Sequence, residues 1–168
     1  VALFSHAEIS NCYTDVLGVM NNSTATATNC TVDEQVIVFS GSSLTANNLT
    51  IGDDMISSVR LDVSGHSEVN IDDFRMMGWD ASVYIDNLSK ATFNLVDWTA
   101  RYIYLSAEDG VDLTVSNAVL DATVTPASSV NLRFEDKTVC KLSDVDIQAT
   151  SQAQMHVSSS VIATLEHV

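Results

Sequence analysis

The sequence has few of the residues that interrupt regular structure and few of positive charge. One proline and six glycines in 168 residues argue against flexible linkers, disorder and a collagen-like chain. Seven basic residues face 22 acidic ones, for a net charge of −15. Such a chain lacks the basic footprint that nucleic acids and anionic membrane surfaces require. No nucleic-acid partner is therefore expected.

Long apolar runs are also missing. No run approaches the roughly 18 residues needed to span a bilayer, so no membrane insertion is expected. The chain opens with Val1 and shows no signal peptide, which favours a mature form or a recombinant fragment. Hydrophobic residues make up 46% of the sequence, enough for the core of one domain over residues 1–168.

A short sequence motif, which we call the phrase, recurs along the chain. It alternates apolar and polar residues, has two small or polar residues in the middle, and then alternates again. The copies occupy residues 7–14, 25–32, 44–51, 69–76, 91–98, 113–120 and 140–147. Alternation with period two predicts half-buried strands on either side of the middle pair, and a repeat of about twenty residues predicts a solenoid.

The middle pair predicts a bend that turns the strand without reversing it. Its second residue is Asn or Asp in six of the seven copies, and these are the non-glycine residues that best tolerate the left-handed conformation. The six are Asn11, Asn29, Asn48, Asp73, Asn117 and Asp144. The fifth copy has Asn94 first and Leu95 second, so a distorted bend is expected there.

A third strand is predicted in each interval, at residues 36–38, 59–63, 83–85, 103–105, 130–134 and 155–157, with a weaker first copy at 17–19. Tight Asn-Gly reversing turns are absent, which argues against stacked hairpins. No 3.6-residue periodicity separates the strands, which argues against a leucine-rich or helical repeat. Each coil therefore has three strands, one constant polar bend and two variable turns.

This pattern resembles the right-handed parallel β-helix of the pectin-lyase-like superfamily. The resemblance covers nearly the whole chain and implies an all-β, single-stranded, right-handed parallel β-helix of about seven coils with three strands per coil. Residues 161–163 look like the start of another coil, which suggests a fragment of a longer solenoid or a subunit of a larger assembly. The superfamily includes lyases, hydrolases, tailspikes and adhesins, so the fold carries no activity by itself.

The outer side of the third strand is the predicted ligand-binding surface. Arg60, Tyr84 and Tyr104 are expected in one outward column and Asp62 and Asp86 in the next, as neighbours on adjacent coils. In the superfamily the substrate cleft commonly lies on this face. Two carboxyls about 5 to 5.5 Å apart would suit a retaining glycosidase, whereas the same residues could instead bind a glycan or an ion, or form a solvated face.

No complete catalytic motif supports an enzyme. The polygalacturonase set of that superfamily combines Asn-Thr-Asp, Asp-Asp, Gly-His-Gly and Arg-Ile-Lys, and residues 64–66 are the only near match, to its histidine motif. No catalytic residue is assigned, and the enzyme question leans towards no. Cofactors are expected to be absent, with Ca²⁺ as the alternative at Asp53-Asp54, at Asp72-Asp73 or at Asp62 and Asp86.

Two further features concern the cysteines and the threonines. Cys12 and Cys30 occupy the same place in consecutive copies, so they are expected to stack about 4.8 Å apart as a disulfide or as a buried pair of thiols. Cys140 is expected to be a buried free thiol. Paired Thr26/Thr31 and Thr45/Thr50 are typical of ice-binding solenoids, but charges interrupt the array, so this is a minor alternative.

The leading hypothesis is a non-enzymatic extracellular or cell-surface module: an adhesin, a passenger stalk or a filament subunit. Its partners would be glycans, host or cell-surface proteins, or copies of itself stacked end to end. The alternative is a polysaccharide-binding or polysaccharide-degrading β-helix that uses Arg60, Asp62, Tyr84, Asp86 and Tyr104.

Overall fold

A computed structural model of the protein describes residues 2–3, 6–55, 57–158 and 160–168. The described residues contain thirteen strands in one sheet and no helix. The strands are β1 (Ala2–Leu3), β2 (His6–Ser10), β3 (Tyr13–Met20), β4 (Thr24–Phe39), β5 (Ser43–Ile51), β6 (Ser58–Ser64), β7 (Glu68–Ile85), β8 (Lys90–Ala107), β9 (Asp112–Ala122), β10 (Ser129–Phe134), β11 (Val139–Ala149), β12 (Gln152–Val157) and β13 (Ile162–Glu166).

Every strand pair is parallel, and the chain forms a β-solenoid of about seven turns. This confirms the all-β parallel architecture. Strands β4, β7 and β8 run through the bends for 16 to 18 residues. Because each of these long strands covers more than one of the predicted strands, the count of three strands per coil stays a prediction. The right-handed sense of the solenoid also stays a prediction.

The paired segments stack into three columns, which we call faces. The first face contains residues 6–10, 24–28, 43–47, 68–72, 90–94, 112–116, 139–143 and 162–166. The second contains 13–14, 30–32, 49–51, 74–78, 96–100, 118–122 and 145–149. The third contains 16–20, 35–39, 58–64, 80–85, 102–107, 129–134 and 152–157.

The bend between the first and second faces takes the same form in all seven copies. The second residue of the middle pair is left-handed in each, with φ between 50° and 56°. Asn48 Nδ2 donates to Asn29 Oδ1 over 3.0 Å, and Asn29 Nδ2 donates to Asn11 Oδ1 over 3.3 Å. The asparagines thus turn the chain and also link successive coils.

The fifth copy is not distorted, contrary to expectation. Leu95 adopts the same left-handed conformation, with φ 51°. Asn94 replaces the missing side-chain contact, because its Oδ1 accepts from Asn117 Nδ2 over 2.7 Å and from Ser116 Oγ over 3.0 Å. Its Nδ2 donates to Asp72 Oδ1 over 2.7 Å. The neighbouring coils therefore hold the bend although leucine disfavours it.

The turn between the third and first faces is also regular, although it was expected to vary. Six copies have two consecutive left-handed residues, at 21–22, 40–41, 65–66, 87–88, 109–110 and 136–137. A buried serine follows in four of them. The backbone N–H groups of Ser23, Ser42 and Ser67 each donate to the Oγ of the serine one coil further on, over 3.2 to 3.3 Å. This column satisfies polar groups that would otherwise be buried without partners.

The core is a column of apolar side chains inside the coils. Phe74, Phe93 and Trp98 are fully buried, and their ring centroids lie 5.2 to 6.3 Å apart. Trp98 therefore belongs to the core. Tilted and edge-on rings at this spacing add to the stabilisation from apolar burial.

Candidate ligand-binding face

The third face brings the predicted residues together in a different register. Asp62 pairs with Tyr84, and Arg60 pairs with Ser82. Ser82 in turn pairs with Tyr104. Arg60 and Tyr104 therefore share a column as expected, whereas Tyr84 lies two residues further along, in the column of Asp62.

Asp86 does not neighbour Asp62. It follows Ile85, which pairs with Val63, and its N–H donates to the Val63 carbonyl over 3.0 Å. The Asp86 carboxylate instead accepts from Asn87 Nδ2 over 2.8 Å. The adjacent carboxyl pair on which a retaining mechanism would depend is not formed.

Asp62 is engaged by two neighbouring side chains. Arg60 Nε donates to Asp62 Oδ1 over 2.7 Å, and Gln35 Nε2 donates to Asp62 Oδ2 over 2.6 Å. The hydrogen bond to Asp62 raises the pKa of the Arg60 guanidinium. The Arg60 guanidinium also lies 4.3 Å from the centroid of the Tyr84 ring, in cation–π geometry.

The contacts continue along the face through the tyrosines. The Tyr84 and Tyr104 ring centroids are 5.3 Å apart. Arg133 donates to Glu135 Oε2 over 2.6 Å, and this bond, followed by one to the Tyr104 hydroxyl, raises the pKa of Arg133. The bond from Arg133 correspondingly lowers the pKa of Glu135.

His156 Nε2 completes the series, 3.2 Å from Glu135 Oε1. We call the connected side chains the third-face ladder. Its members are Gln35, Asp62, Arg60, Tyr84, Tyr104, Arg133, Glu135 and His156. The ladder crosses six successive coils, so it joins turns of the solenoid that the backbone already pairs.

An open groove of about 610 Å³ lies beside one end of this ladder. Arg60 and Tyr84 line it together with Ser58, Ser82 and Asp80. Asp80 Oδ2 accepts from Ser58 Oγ over 3.1 Å, whereas Asp80 Oδ1 is buried with no hydrogen-bond partner among the described residues. The groove therefore offers hydroxyls, whereas Asp80 Oδ1 is buried and not exposed to a ligand.

A second aromatic and cationic cluster is centred on Arg101. Arg101 lies 4.5 Å from the Trp79 ring centroid and 4.7 Å from that of Tyr102. Trp79 lies within strand β7, between its second-face and third-face segments, and is 39% exposed.

Among the residues that the structure describes, one acidic set has the spacing of a metal site. One carboxylate oxygen each from Glu108, Glu135 and Asp136 lies within 4.8 Å of the others. Glu135 is already bound to Arg133 and His156. None of these three was among the Ca²⁺ candidates from the sequence, and Ca²⁺ binding stays a prediction.

The three cysteines are free thiols. Burial, followed by a hydrogen bond with Cys30, raises the pKa of Cys12 to about 11. The two side chains are thus neighbours as expected, and their oxidation to a disulfide stays a prediction. Cys140 is a buried free thiol as predicted, and burial raises its pKa to about 12.

The first face carries the threonine row in the expected register. Thr26 pairs with Thr45, Asn70 with Thr92, and Thr92 with Thr114. Asn70 and Lys141 occupy the same row, so the threonines do not form an uninterrupted array. Ice binding stays a minor prediction.

Comparison of the chain with protein-family models, with curated proteins and with solved structures found no match. The pectin-lyase-like resemblance therefore rests on the residues and the solenoid alone.

The described residues include no helix of the length and hydrophobicity that crossing a bilayer would need.

Proposed function

We propose that this chain is a non-enzymatic structural or adhesive module of the extracellular space or cell surface, as in an adhesin, a passenger stalk or a filament subunit. The third-face ladder is the observation that carries the proposal. The polar groups and aromatic rings of the ladder contact one another across neighbouring coils, as Arg60, Asp62, Tyr84 and Tyr104 show. Such contacts reinforce a rod.

Two further observations support a structural role over catalysis. The carboxyls of Asp62 and Asp86 have separate partners and are not paired across coils. The net charge of −15 favours solubility and discourages non-specific association, which suits an exposed module. The extracellular location rests on this surface charge and on the Asn-X-Ser/Thr sequences, such as residues 22–24.

The test is stability together with turnover. Tyr84→Ala removes the contacts with both Arg60 and Tyr104, so the free energy of unfolding should fall by about 1–2 kcal/mol. Thr92→Ala, at an exposed first-face position outside the ladder, should change it by less than about 0.5 kcal/mol. Urea unfolding measures both. Cleavage of any polysaccharide in a panel of acidic and neutral chains, abolished by Asp62→Asn, would overturn the proposal.

Glycan binding in the groove is the second candidate. The observation in its favour is the groove itself, where the Ser58 and Ser82 hydroxyls lie beside the Tyr84 ring. Sugar hydroxyls can bond to the serine hydroxyls, and an aromatic ring suits the apolar face of a sugar. Ser82→Ala should then weaken glycan binding in calorimetry, with circular dichroism to check that the variant is folded. Equal binding by the two proteins would exclude this role.

A further inference from the structure

Arg101 lies at the tightest corner between the second and third faces. A single residue joins these faces in two neighbouring coils: Trp79 in one and Arg101 in the next. Residues 52–57 make the same connection in the coil before, and residues 123–128 make it in the coil after. Trp79 and Arg101 therefore occupy equivalent places on adjacent coils, with a longer connection on either side.

The Arg101 guanidinium stacks on two aromatic rings. It lies 4.5 Å from the centroid of the Trp79 ring and 4.7 Å from that of the Tyr102 ring. Stacking engages the flat face of a guanidinium, whereas its N–H donors lie in the plane of the group. The two rings therefore restrict the orientation of the cation and leave its hydrogen-bond donors unused.

Arg101 differs in this respect from the other arginines of the chain. The other three each bind a carboxylate two residues away in the sequence: Arg60 binds Asp62, Arg75 binds Asp73 and Arg133 binds Glu135. Arg101 forms no hydrogen bond or ion pair with any residue that the structure describes, and its Nε is buried without a partner. The chain has 22 acidic residues against seven basic ones, so a shortage of acids does not explain this.

The carboxylates nearest to Arg101 in register are bound elsewhere. Asp80 pairs with Tyr102, and its Oδ2 accepts from Ser58 Oγ over 3.1 Å. Asp121 Oδ1 accepts from the Thr123 N–H over 2.8 Å and from the Thr123 hydroxyl over 2.6 Å. The terminal amino groups of Arg101, which unlike Nε are not buried, are thus left for an anion from outside the chain.

A carboxylate attached to a sugar ring fits this arrangement. Two N–H donors of a guanidinium match the two oxygens of a carboxylate. Trp79 is 39% exposed and Tyr102 is 36% exposed, so aromatic surface borders the cation and can pack against the apolar face of a sugar.

The surroundings argue against other anionic ligands. An extended peptide commonly binds by adding a strand to a free sheet edge, but β7 and β8 are paired on both sides. The net charge of −15 repels a polyanion. A single acidic group on an otherwise neutral glycan avoids most of this repulsion.

We propose that Arg101, oriented by Trp79 and Tyr102, binds the carboxylate of an acidic sugar at the end of an otherwise neutral glycan. The inference rests on the adhesive form of the proposed function and names its ligand. None of the three residues lines the groove beside Ser58 and Ser82, so the two glycan sites can be tested separately.

Calorimetry with matched sugars tests the charge. Sialyllactose carries one carboxylate on its terminal sugar, and lactose carries none. The parent chain should bind sialyllactose at least about tenfold more tightly, because a bidentate pair between a guanidinium and a carboxylate is a strong contact. A trisaccharide that ends in glucuronic acid presents the same group on a different ring, and tight binding of either acidic sugar supports the proposal.

Two arginine variants test the position. Arg101→Gln should weaken binding of the acidic sugar at least about tenfold and leave lactose unaffected. Arg75→Gln removes the same charge from the neighbouring coil, where Asp73 already occupies the donors, and should change binding less than about twofold. Circular dichroism checks that each variant is folded. Arg101→Lys keeps the charge but not the paired donors, so it should bind at least about threefold more weakly, and it replaces Arg101→Gln if that variant does not fold.

Four results would overturn the proposal: acidic sugars that bind no more tightly than lactose, unchanged binding in the Arg101 variants, an equal loss in Arg75→Gln, or tighter binding of a tetrapeptide with a free C-terminal carboxylate than of either acidic sugar. Each of these leaves the structural function standing. Polysaccharide cleavage abolished by Asp62→Asn overturns the structural function, whatever Arg101 binds.

Discussion

The aromatic core of the middle coils and the last rung of the solenoid, formed by β12 and β13, share a backbone register. They differ in how far their apolar side chains are exposed. Phe74, Phe93 and Trp98 are fully buried, whereas Leu165 and Val168 are about half exposed at equivalent inward positions. The difference arises because each coil is covered by its two neighbours and by nothing else. Apolar residues in a solenoid are thus buried by the next coil, and stability should fall towards an uncovered edge.

The largest test of this comparison removes one large side chain from each region. Trp98→Ala should lower the free energy of unfolding by about 3–5 kcal/mol, because the ring is enclosed on all sides and leaves a cavity. Leu165→Ala should cost less than about 1 kcal/mol, since water already reaches half of its side chain. Urea unfolding at a protein concentration that keeps the chain monomeric measures both. Equal losses would mean that the last rung is as well covered as the middle.

A pH series tests how well β13 shields the Cys140 thiol of the preceding coil from solvent. Cys140 pairs with Ala163 of β13, and burial raises its pKa from 9.0 to about 12. The unfolded thiol loses its proton near pH 9 and the folded one near pH 12. The stability that this difference gives is therefore complete below pH 9 and falls as the pH rises from 9 to 12. Relative to Cys140→Ala, the parent should lose about 1 kcal/mol by pH 10.

Thermal or urea unfolding of both proteins between pH 7 and 10 measures this loss. The other groups that titrate in this range, including Cys12 and Tyr13, are common to the two chains and cancel in the comparison. Parallel stability curves for the parent and Cys140→Ala would show that solvent reaches the thiol, and hence that β13 does not seal the coil beneath it.

The smallest expected effect improves a weak point of the middle coils. Leu95 is held left-handed and is 52% exposed, so it gains little burial in return for an unfavourable conformation. Leu95→Asn should raise the free energy of unfolding by about 1 kcal/mol. The reverse exchange at the equivalent place in the next coil, Asn117→Leu, should lower it by a similar amount. No gain from Leu95→Asn would mean that Asn94 already fills the role of the missing asparagine.

The first two faces could be predicted residue by residue, because the phrase has a fixed length and its asparagines mark the bend. Aligning the copies on Asn29, Asn48 and Asp73 gives the observed pairing directly. The third face lacked such an anchor. The intervals that lead into it vary in length, so strand alternation alone aligns Tyr84 with Arg60, whereas its partner is Asp62.

The sequence contains a second anchor, which lies at the end of each third-face segment. The pair of left-handed residues before Ser23, Ser42, Ser67 and Ser89 consists mainly of Asn, Gly, Ser and His, and its recurrence fixes the end of each third-face segment. Counting back from these serines gives the correct register for Tyr84 and Asp86. The mutual engagement of Arg60, Asp62 and Tyr84 could not be foreseen, because it depends on side-chain conformations that no spacing specifies.

The strictly parallel register also fixes the length of the solenoid in equal steps of one coil. Paired strands are separated by about 4.8 Å, so seven coils give a rod of roughly 34 Å. Duplicating or deleting one coil would change the length by one such step and leave the pattern of the faces intact. Distances set by this chain therefore come in fixed increments, and a segment mounted on it could be moved outward without being redesigned.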